Sequence, residues 1–124
     1  MYSAAALALL DKASTEFVCV DAGSVGGVHA RMRAIRARAQ LIGLDANLDE
    51  CNRLNRAAGP SERHVHAAVG CPGEQVVLEL HRKRQTSSCF ETDLGRVSRY
   101  QDAERYAAEG QVQMTTRGLD DICA

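Results

Sequence analysis

Short apolar runs alternate with amphipathic stretches over the first half of the chain, and this pattern predicts alternating strands and helices. Residues 17–20 form a continuous run of mainly β-branched and aromatic side chains before a glycine-rich turn, which is typical of a strand buried on both faces. Apolar residues then recur at helical spacing and predict a helix from about Val28 to Ala39. Residues 41–44 are a second short apolar run and predict the next strand.

A second helix and a third strand follow. Asn47 is a favourable helix N-cap, and Glu50, three residues later, resembles the partner residue of a capping box. Apolar residues alternate over residues 64–69 and predict a strand. The order strand, helix, strand, helix, strand, joined by right-handed crossovers, predicts a Rossmann-like α/β fold with half of a doubly wound parallel sheet.

The flanking segments predict further elements. An apolar stretch near the start predicts a short amphipathic helix, because it is too short to span a bilayer and lacks the positive start of a signal peptide. Alternation at residues 75–81 and 112–116 predicts two extra strands, with a partly helical segment at 94–109 between them. Residues 119–122 predict the first turn of a last helix.

Composition fits this architecture and narrows the class of protein. Hydrophobic residues make up 45% of the sequence and aromatic residues only 4%, so a core must rest on aliphatic side chains. A net charge of −1 gives no overall attraction to nucleic acids or anionic membranes. Without a long apolar run we expect a cytoplasmic protein. The odd number of cysteines, five, without a C-x-x-C pair predicts free thiols in a reducing compartment.

The glycine-rich turn after the first strand is the main candidate site. Glycines at the carboxyl end of a parallel strand let the backbone approach a ligand, and the next helix would direct its N–H groups toward that ligand. Asp21 can order the turn or reach a polar group of the ligand. Asp45 ends the second strand, and its two oxygens suit the vicinal hydroxyls of a ribose. Alternatively, the glycines only allow tight strand–helix packing, and Asp45 is a solvated residue at a helix start.

Several segments resemble motifs of FkbM-type S-adenosylmethionine-dependent methyltransferases. V-D-A-G-S-V-G-G at residues 20–27 is similar to that family's first motif, usually V-D-V-G-A-N-x-G. L-D-A-N at residues 44–47 is similar to its second motif, in which an acidic residue is followed by Pro and a helix. A-A-V-G at 67–70, S-S at 87–88 and G-L-D-D at 118–121 resemble later family segments, in the same order.

The resemblance implies a class I methyltransferase fold, S-adenosylmethionine as the cofactor, and a small-molecule or saccharide hydroxyl as the methyl acceptor. It assigns the turn to the methionine and ribose side of the cofactor, an acidic residue to the ribose hydroxyls, and two alanines to the adenine. The residues implied in cofactor binding are Asp21, Gly23, Ser24, Gly27, Asp45, Ala46 and Ala68. The sequence assigns no catalytic residue.

The largest departure from the family pattern is at the end of the sequence. The family continues with a strand beside the first, so we expect a truncated chain that lacks one wall of the active site. The first strand would then present an unpaired, apolar edge to a second copy or a partner chain. We expect one partial domain over residues 1–124, with an N-terminal helix at 1–16, the cofactor-binding β-α-β-α-β part at 17–70, and extra strands and a loop at 71–124.

Two other functions stay open on the sequence. A nicotinamide-dependent oxidoreductase half-domain would need G-x-G-x-x-G in the turn, whereas the turn reads D-x-G-x-x-x-G. A non-catalytic binding module would use the open strand edge to bind a partner.

Other polar clusters predict no further chemistry. His64 and His66 lie on one face of a strand without a third metal ligand and are interpreted as a solvated pair. The basic clusters at 31–38 and 81–84 lack aromatic neighbours for base stacking, so a nucleic-acid partner is not expected.

Overall fold

The computed structural model describes residues 3–12 and 17–124, and the chain divides into two compact units. The first unit extends to His66 and includes Leu119–Ala124, whereas the second unit is Ala67–Gly118. The helices and strands are, in chain order, α1 (Ala4–Lys12), β1 (Phe17–Ala22), α2 (Ala30–Arg33), β2 (Ala39–Asp45), α3 (Leu48–Ala57), β3 (Glu62–His66), β4 (Ala68–Val69), β5 (Gln75–His81), α4 (Leu94–Val97), β6 (Ala108–Arg117) and α5 (Leu119–Cys123). Within the described ranges, every helix is too short or too polar to cross a membrane.

The first unit is built on a parallel sheet with the strand order β1-β2-β3. This arrangement confirms the mixed α/β class and the predicted order strand, helix, strand, helix, strand. The central strand, β2, is buried at every position except Gln40, as expected for a strand with a neighbour on each side.

The two faces of this sheet are covered by different helices. Neighbouring parallel strands share side-chain direction, so Gly43 and its partner His64 lie on one face, whereas Ile42 and its partner Arg63 lie on the other. On the first face, Val28, Ile35, Ala39 and Leu41 form a buried cluster against which Leu7, Phe17, Cys19 and Met32 pack. On the second face, Arg63 Nη2 donates to the carbonyl of Ile122 in α5 at 2.7 Å.

The helix predicted from Val28 to Ala39 is wrong in its length, because α2 spans only Ala30–Arg33. The chain continues in tight turns with i to i+3 hydrogen bonds, such as Ile35 N–H to Met32 O at 3.0 Å. Ala39 already belongs to β2, where it pairs with Phe17. The apolar spacing therefore indicated correctly which residues are buried. It did not indicate the helix length, because a series of short turns can direct the same side chains into the core.

The second unit holds a separate sheet with the order β4-β6-β5. β5 and β6 are antiparallel, and β5 has the predicted bounds, whereas β6 is longer than predicted. The strand predicted over residues 64–69 is wrong as one element: β3 ends at His66, and Ala68–Val69 pairs with β6. Alternation of apolar residues does not reveal that a strand changes its partner sheet partway along.

Candidate functional site

The glycine turn after β1 folds back onto the end of β2. The N–H groups of Gly23 and Ser24 both donate to the carbonyl of Leu44, at 2.8 and 3.0 Å. Leu44 immediately precedes Asp45, so the turn and the Asp45 carboxylate meet at the same edge of the sheet. β1 and β2 end at nearly the same height in the sheet, because Ala22, the last residue of β1, pairs with Leu44.

The turn needs glycine for its backbone conformation and is open at two of its three glycines. Gly23, Gly26 and Gly27 have φ angles of 81°, 86° and 106°, which side-chain-bearing residues rarely adopt. A Cβ on Gly23 or Gly26 would meet no atom within 4 Å, so space lies beside both. A Cβ on Gly27 would collide with the guanidinium of Arg33, which covers that part of the turn.

The backbone donors of the turn are used within the protein. The N–H groups that donate to internal acceptors are those of Gly23, Ser24, Gly26, Gly27 and His29. The acceptor for His29 is Asp21 Oδ2, at 2.8 Å, so Asp21 orders the turn. At the start of α2, the N–H groups of His29 and Arg31 donate to Asp21 and to the His29 ring, so the expectation that helix-start N–H groups point at a ligand is wrong for these two. With four residues, α2 also has only a weak dipole.

Asp45 is a mostly buried carboxylate, only 7% exposed, at the end of β2. Its Oδ1 accepts a hydrogen bond from Asn47 N–H at 2.8 Å. Burial raises the pKa of Asp45 above the ordinary value of 3.8, although the bond from Asn47 acts in the opposite direction. The interpretation of Asp45 as a solvated residue is therefore wrong.

Glu50 belongs to this site, although its spacing from Asn47 predicts only a helix cap. Asn47 Oδ1 does accept the Glu50 N–H at 3.0 Å, as predicted, but the Glu50 carboxylate does not return to Asn47. Its Oε1 instead accepts the Gly26 N–H at 3.0 Å. A hydrogen bond from Arg53 is the main reason that the pKa of Glu50 is lowered to about 2. Glu50 thus fastens the turn to α3 as a carboxylate.

His64 is a buried polar residue beneath the turn, and the sequence did not predict its burial. His64 Nε2 lies 3.0 Å from Glu62 Oε1, which accepts a hydrogen bond from Arg33 at 3.3 Å. A Cβ built on Gly43 would lie 2.5 Å from His64 Nδ1 and 2.6 Å from Ser24 Oγ, so the missing side chain of Gly43 makes room for both. Within the described part of the chain, the buried Nδ1 has no hydrogen-bond partner.

His64 is 5% exposed, so its interpretation as one of a solvated pair is wrong, whereas His66 is exposed. The side chain of Asn55 in α3 binds the backbone of His64 on both sides, at 2.7 Å each, and packs the helix over this strand. His66 Nε2 lies 2.9 Å from the carbonyl of Ala46.

Ser24, His64 and Glu62 are a hydroxyl, an imidazole and a carboxylate, but they are not arranged for nucleophilic catalysis. Ser24 is 3% exposed, and its Oγ donates to the carbonyl of Leu44 at 3.4 Å. A nucleophile must reach its substrate and lie within hydrogen-bond reach of its base. These side chains instead support the glycine turn from beneath.

The structure brings six of the seven predicted cofactor residues into the first unit. Asp21, Gly23, Ser24 and Gly27 form the turn, and Asp45 and Ala46 lie at the end of β2. Ala68 belongs to the second unit, where it pairs with Thr116 in β6.

No model of a protein family matches the chain, and neither a curated protein nor a solved structure matches it. The resemblance at residues 20–27 and 44–47 therefore stays a prediction. A function has to be inferred from the chemistry at the ends of β1 and β2.

Proposed function

We propose that the first unit is the cofactor-binding part of a Rossmann-like, S-adenosylmethionine-dependent methyltransferase. The observation that carries this proposal is the hydrogen bond from Gly23 N–H to Leu44 O, at 2.8 Å. It holds the glycine turn against the end of β2, next to Asp45, at the carboxyl edge of a parallel sheet. In open α/β sheets this edge is where ligands bind.

Charge favours a cationic donor over a dinucleotide at this edge. Asp21 and Asp45 are carboxylates in or beside the turn, whereas Glu50 is paired with Arg53, and the Arg33 guanidinium over Gly27 is paired with Glu62. A sulfonium ion is stabilised by such negative charge. A pyrophosphate needs free N–H donors and positive charge, whereas the donors of this turn are taken by Leu44, Glu50 and other internal acceptors. The geometry therefore supports S-adenosylmethionine better than NAD.

Each residue has a defined part in binding. The open space beside Gly23 and Gly26 admits the methionine portion of the cofactor close to the backbone, and Asp45 accepts the ribose hydroxyls. Asp21 and Glu50 hold the turn in shape through His29 and Gly26. Bound S-adenosylmethionine supplies an activated methyl group, so the protein acts mainly by positioning donor and acceptor. The proposed acceptor is a hydroxyl of a small molecule or saccharide.

Calorimetric titration of the full chain with S-adenosylhomocysteine and with NAD tests the proposal. We expect S-adenosylhomocysteine to bind and NAD not to bind. Asp45→Asn removes a charged acceptor for the ribose and should weaken binding by about tenfold or more. Asp49→Asn makes the same change on an exposed residue of α3 and should leave binding unchanged. Because the pKa of Asp45 is raised, protonation should weaken wild-type binding as the pH falls, beginning above pH 3.8.

The other outcomes separate the alternatives. Binding of NAD alone would support an oxidoreductase half-domain, and binding of neither ligand would support a non-catalytic module. Equal loss of affinity in Asp45→Asn and Asp49→Asn would show that Asp45 does not hold the ribose.

A further inference from the structure

The second unit contains an open cavity of about 580 Å³ that the proposed function does not use. Its size falls in the range of small-molecule sites, about 300–1,000 Å³. Apolar side chains form much of its wall, including Leu94, Val97 and Ala103. The polar groups that face it include Glu79 and Thr92.

A buried histidine fixes two of these polar groups. His81 is 1% exposed, and its Nε2 lies 2.9 Å from Glu79 Oε1 and 3.0 Å from Thr92 Oγ1. Its Nδ1 lies 3.3 Å from Thr86 Oγ1, and its ring packs edge-on against Tyr106 with centroids 6.0 Å apart. The ring is therefore held in place, and it positions the Glu79 carboxylate at the cavity. Such positioning lowers the side-chain entropy that the protein loses when a ligand binds.

The charged residues that line the cavity are all acidic. Its ionisable lining residues are Glu79, Glu91, Glu104 and Tyr106, and none of the described residues that line it is a lysine, arginine or histidine. Glu104 pairs with Arg82 at 3.7 Å, and Glu79 Oε1 contacts His81, which leaves the second oxygen of Glu79 and the Glu91 carboxylate for a ligand. Carboxylates beside an apolar wall attract a cation more strongly than they would in bulk water.

We propose that this cavity binds a small primary amine with a compact apolar body. The ammonium group donates hydrogen bonds to the Glu79 carboxylate and the Thr92 hydroxyl. The hydrocarbon body lies against Leu94, Val97 and Ala103. This site is independent of the cofactor site proposed for the first unit.

Titration of the full chain, followed by nuclear magnetic resonance, with benzylamine, benzyl alcohol and benzoate tests this proposal. The three probes share a ring and differ in charge. We expect benzylamine to bind at least tenfold more tightly than benzyl alcohol, and benzoate not to bind. Shifts should be confined to residues such as Glu79, Thr92 and Val97. Equal affinity for the three probes, or shifts elsewhere only, would overturn the proposal.

Variants connect the binding to the named residues. Glu79→Gln keeps an acceptor for His81 and should lower the affinity for benzylamine at least tenfold, whereas Glu74→Gln, on an exposed residue outside the cavity, should not. Ala108→Phe, at an exposed lining position, adds bulk to the cavity while keeping both carboxylates and should also abolish binding. Circular dichroism checks the fold of each variant. Unchanged affinity in a folded Glu79→Gln or Ala108→Phe protein would exclude this site.

Discussion

At the scale of single residues, Gly43 has little freedom to change, because a Cβ there would lie 2.5 Å from His64 Nδ1. It lies on the central strand of the first sheet, and its missing side chain is the space into which His64 Nδ1 and Ser24 Oγ project. Neither neighbour can retreat easily, because Asn55 fixes the backbone of His64 and the Ser24 N–H is bonded to β2. The glycine turn and the strand beneath it are therefore coupled through one residue without a side chain.

Gly43→Ala should lower the free energy of unfolding by about 1–3 kcal/mol, because the added methyl group overpacks a filled region. Gly59→Ala is the matched control in the same unit, since a Cβ there meets no atom within 4 Å, and it should change stability by less than about 1 kcal/mol. Urea unfolding followed by circular dichroism measures both. A Gly43→Ala protein as stable as Gly59→Ala would contradict the packing described.

Residue roles were predictable from sequence where the partner is close along the chain. Asp21 was expected to order the turn, and it does so through His29, eight residues away. The contacts of Glu50 with Gly26 and of Glu62 with Arg33 were not predictable, since they join residues 24 and 29 positions apart. Such pairs depend on the register of the sheet and on which helix packs over it, and neither follows from local pattern.

At the scale of elements, β1 is an edge strand of the first sheet. In the described part of the chain it has β2 as its one neighbour, and Val18 on it is an exposed apolar residue. A strand edge of this kind offers unpaired backbone groups to another chain. We propose that this edge pairs with a second copy of the chain.

Sedimentation velocity over a range of concentrations measures this association. Val18→Lys should shift the wild-type chain from dimers or larger species toward monomers, because a charged side chain opposes edge pairing. Leu48→Lys places the same charge on an exposed residue of α3, away from the strand edge, and should leave the association unchanged. A wild-type chain that is monomeric at every concentration would contradict edge pairing.

Element types were predicted better than their lengths. β5 has the predicted bounds because its alternation stops at a polar loop. The segment after the glycine turn is apolar at helical spacing, yet only Ala30–Arg33 is α-helix, because Ala39 is held in the sheet by its pairing with Phe17. Tertiary pairing overrode the local preference there.

At the scale of the whole molecule, the second unit is inserted in the chain between two parts of the first. Residues 119–124 return to the first unit, where the Ile122 side chain is buried and its carbonyl accepts the hydrogen bond from Arg63. The sequence predicted the start of this helix but could not assign the helix to a unit, because the local pattern of apolar residues does not indicate which sheet the helix packs on.

Ile122→Ala should lower the free energy of unfolding by about 2–5 kcal/mol, since it removes a buried side chain and leaves a cavity. Leu119→Ala, on an exposed face of the same short helix, should cost less than about 1 kcal/mol. Hydrogen exchange should show faster opening of β2 amides, such as that of Ile42, in Ile122→Ala. Unchanged exchange at Ile42 would show that α5 does not stabilise this sheet.

The insertion also fixes an order of events during synthesis. The three strands of the first sheet leave the ribosome before any of Ala67–Gly118, and Leu119–Cys123 leaves only after that segment. Until α5 is synthesised, it cannot cover the face of the sheet that carries Ile42 and Arg63. The nascent first unit therefore exposes apolar surface to water and to chaperones during that time.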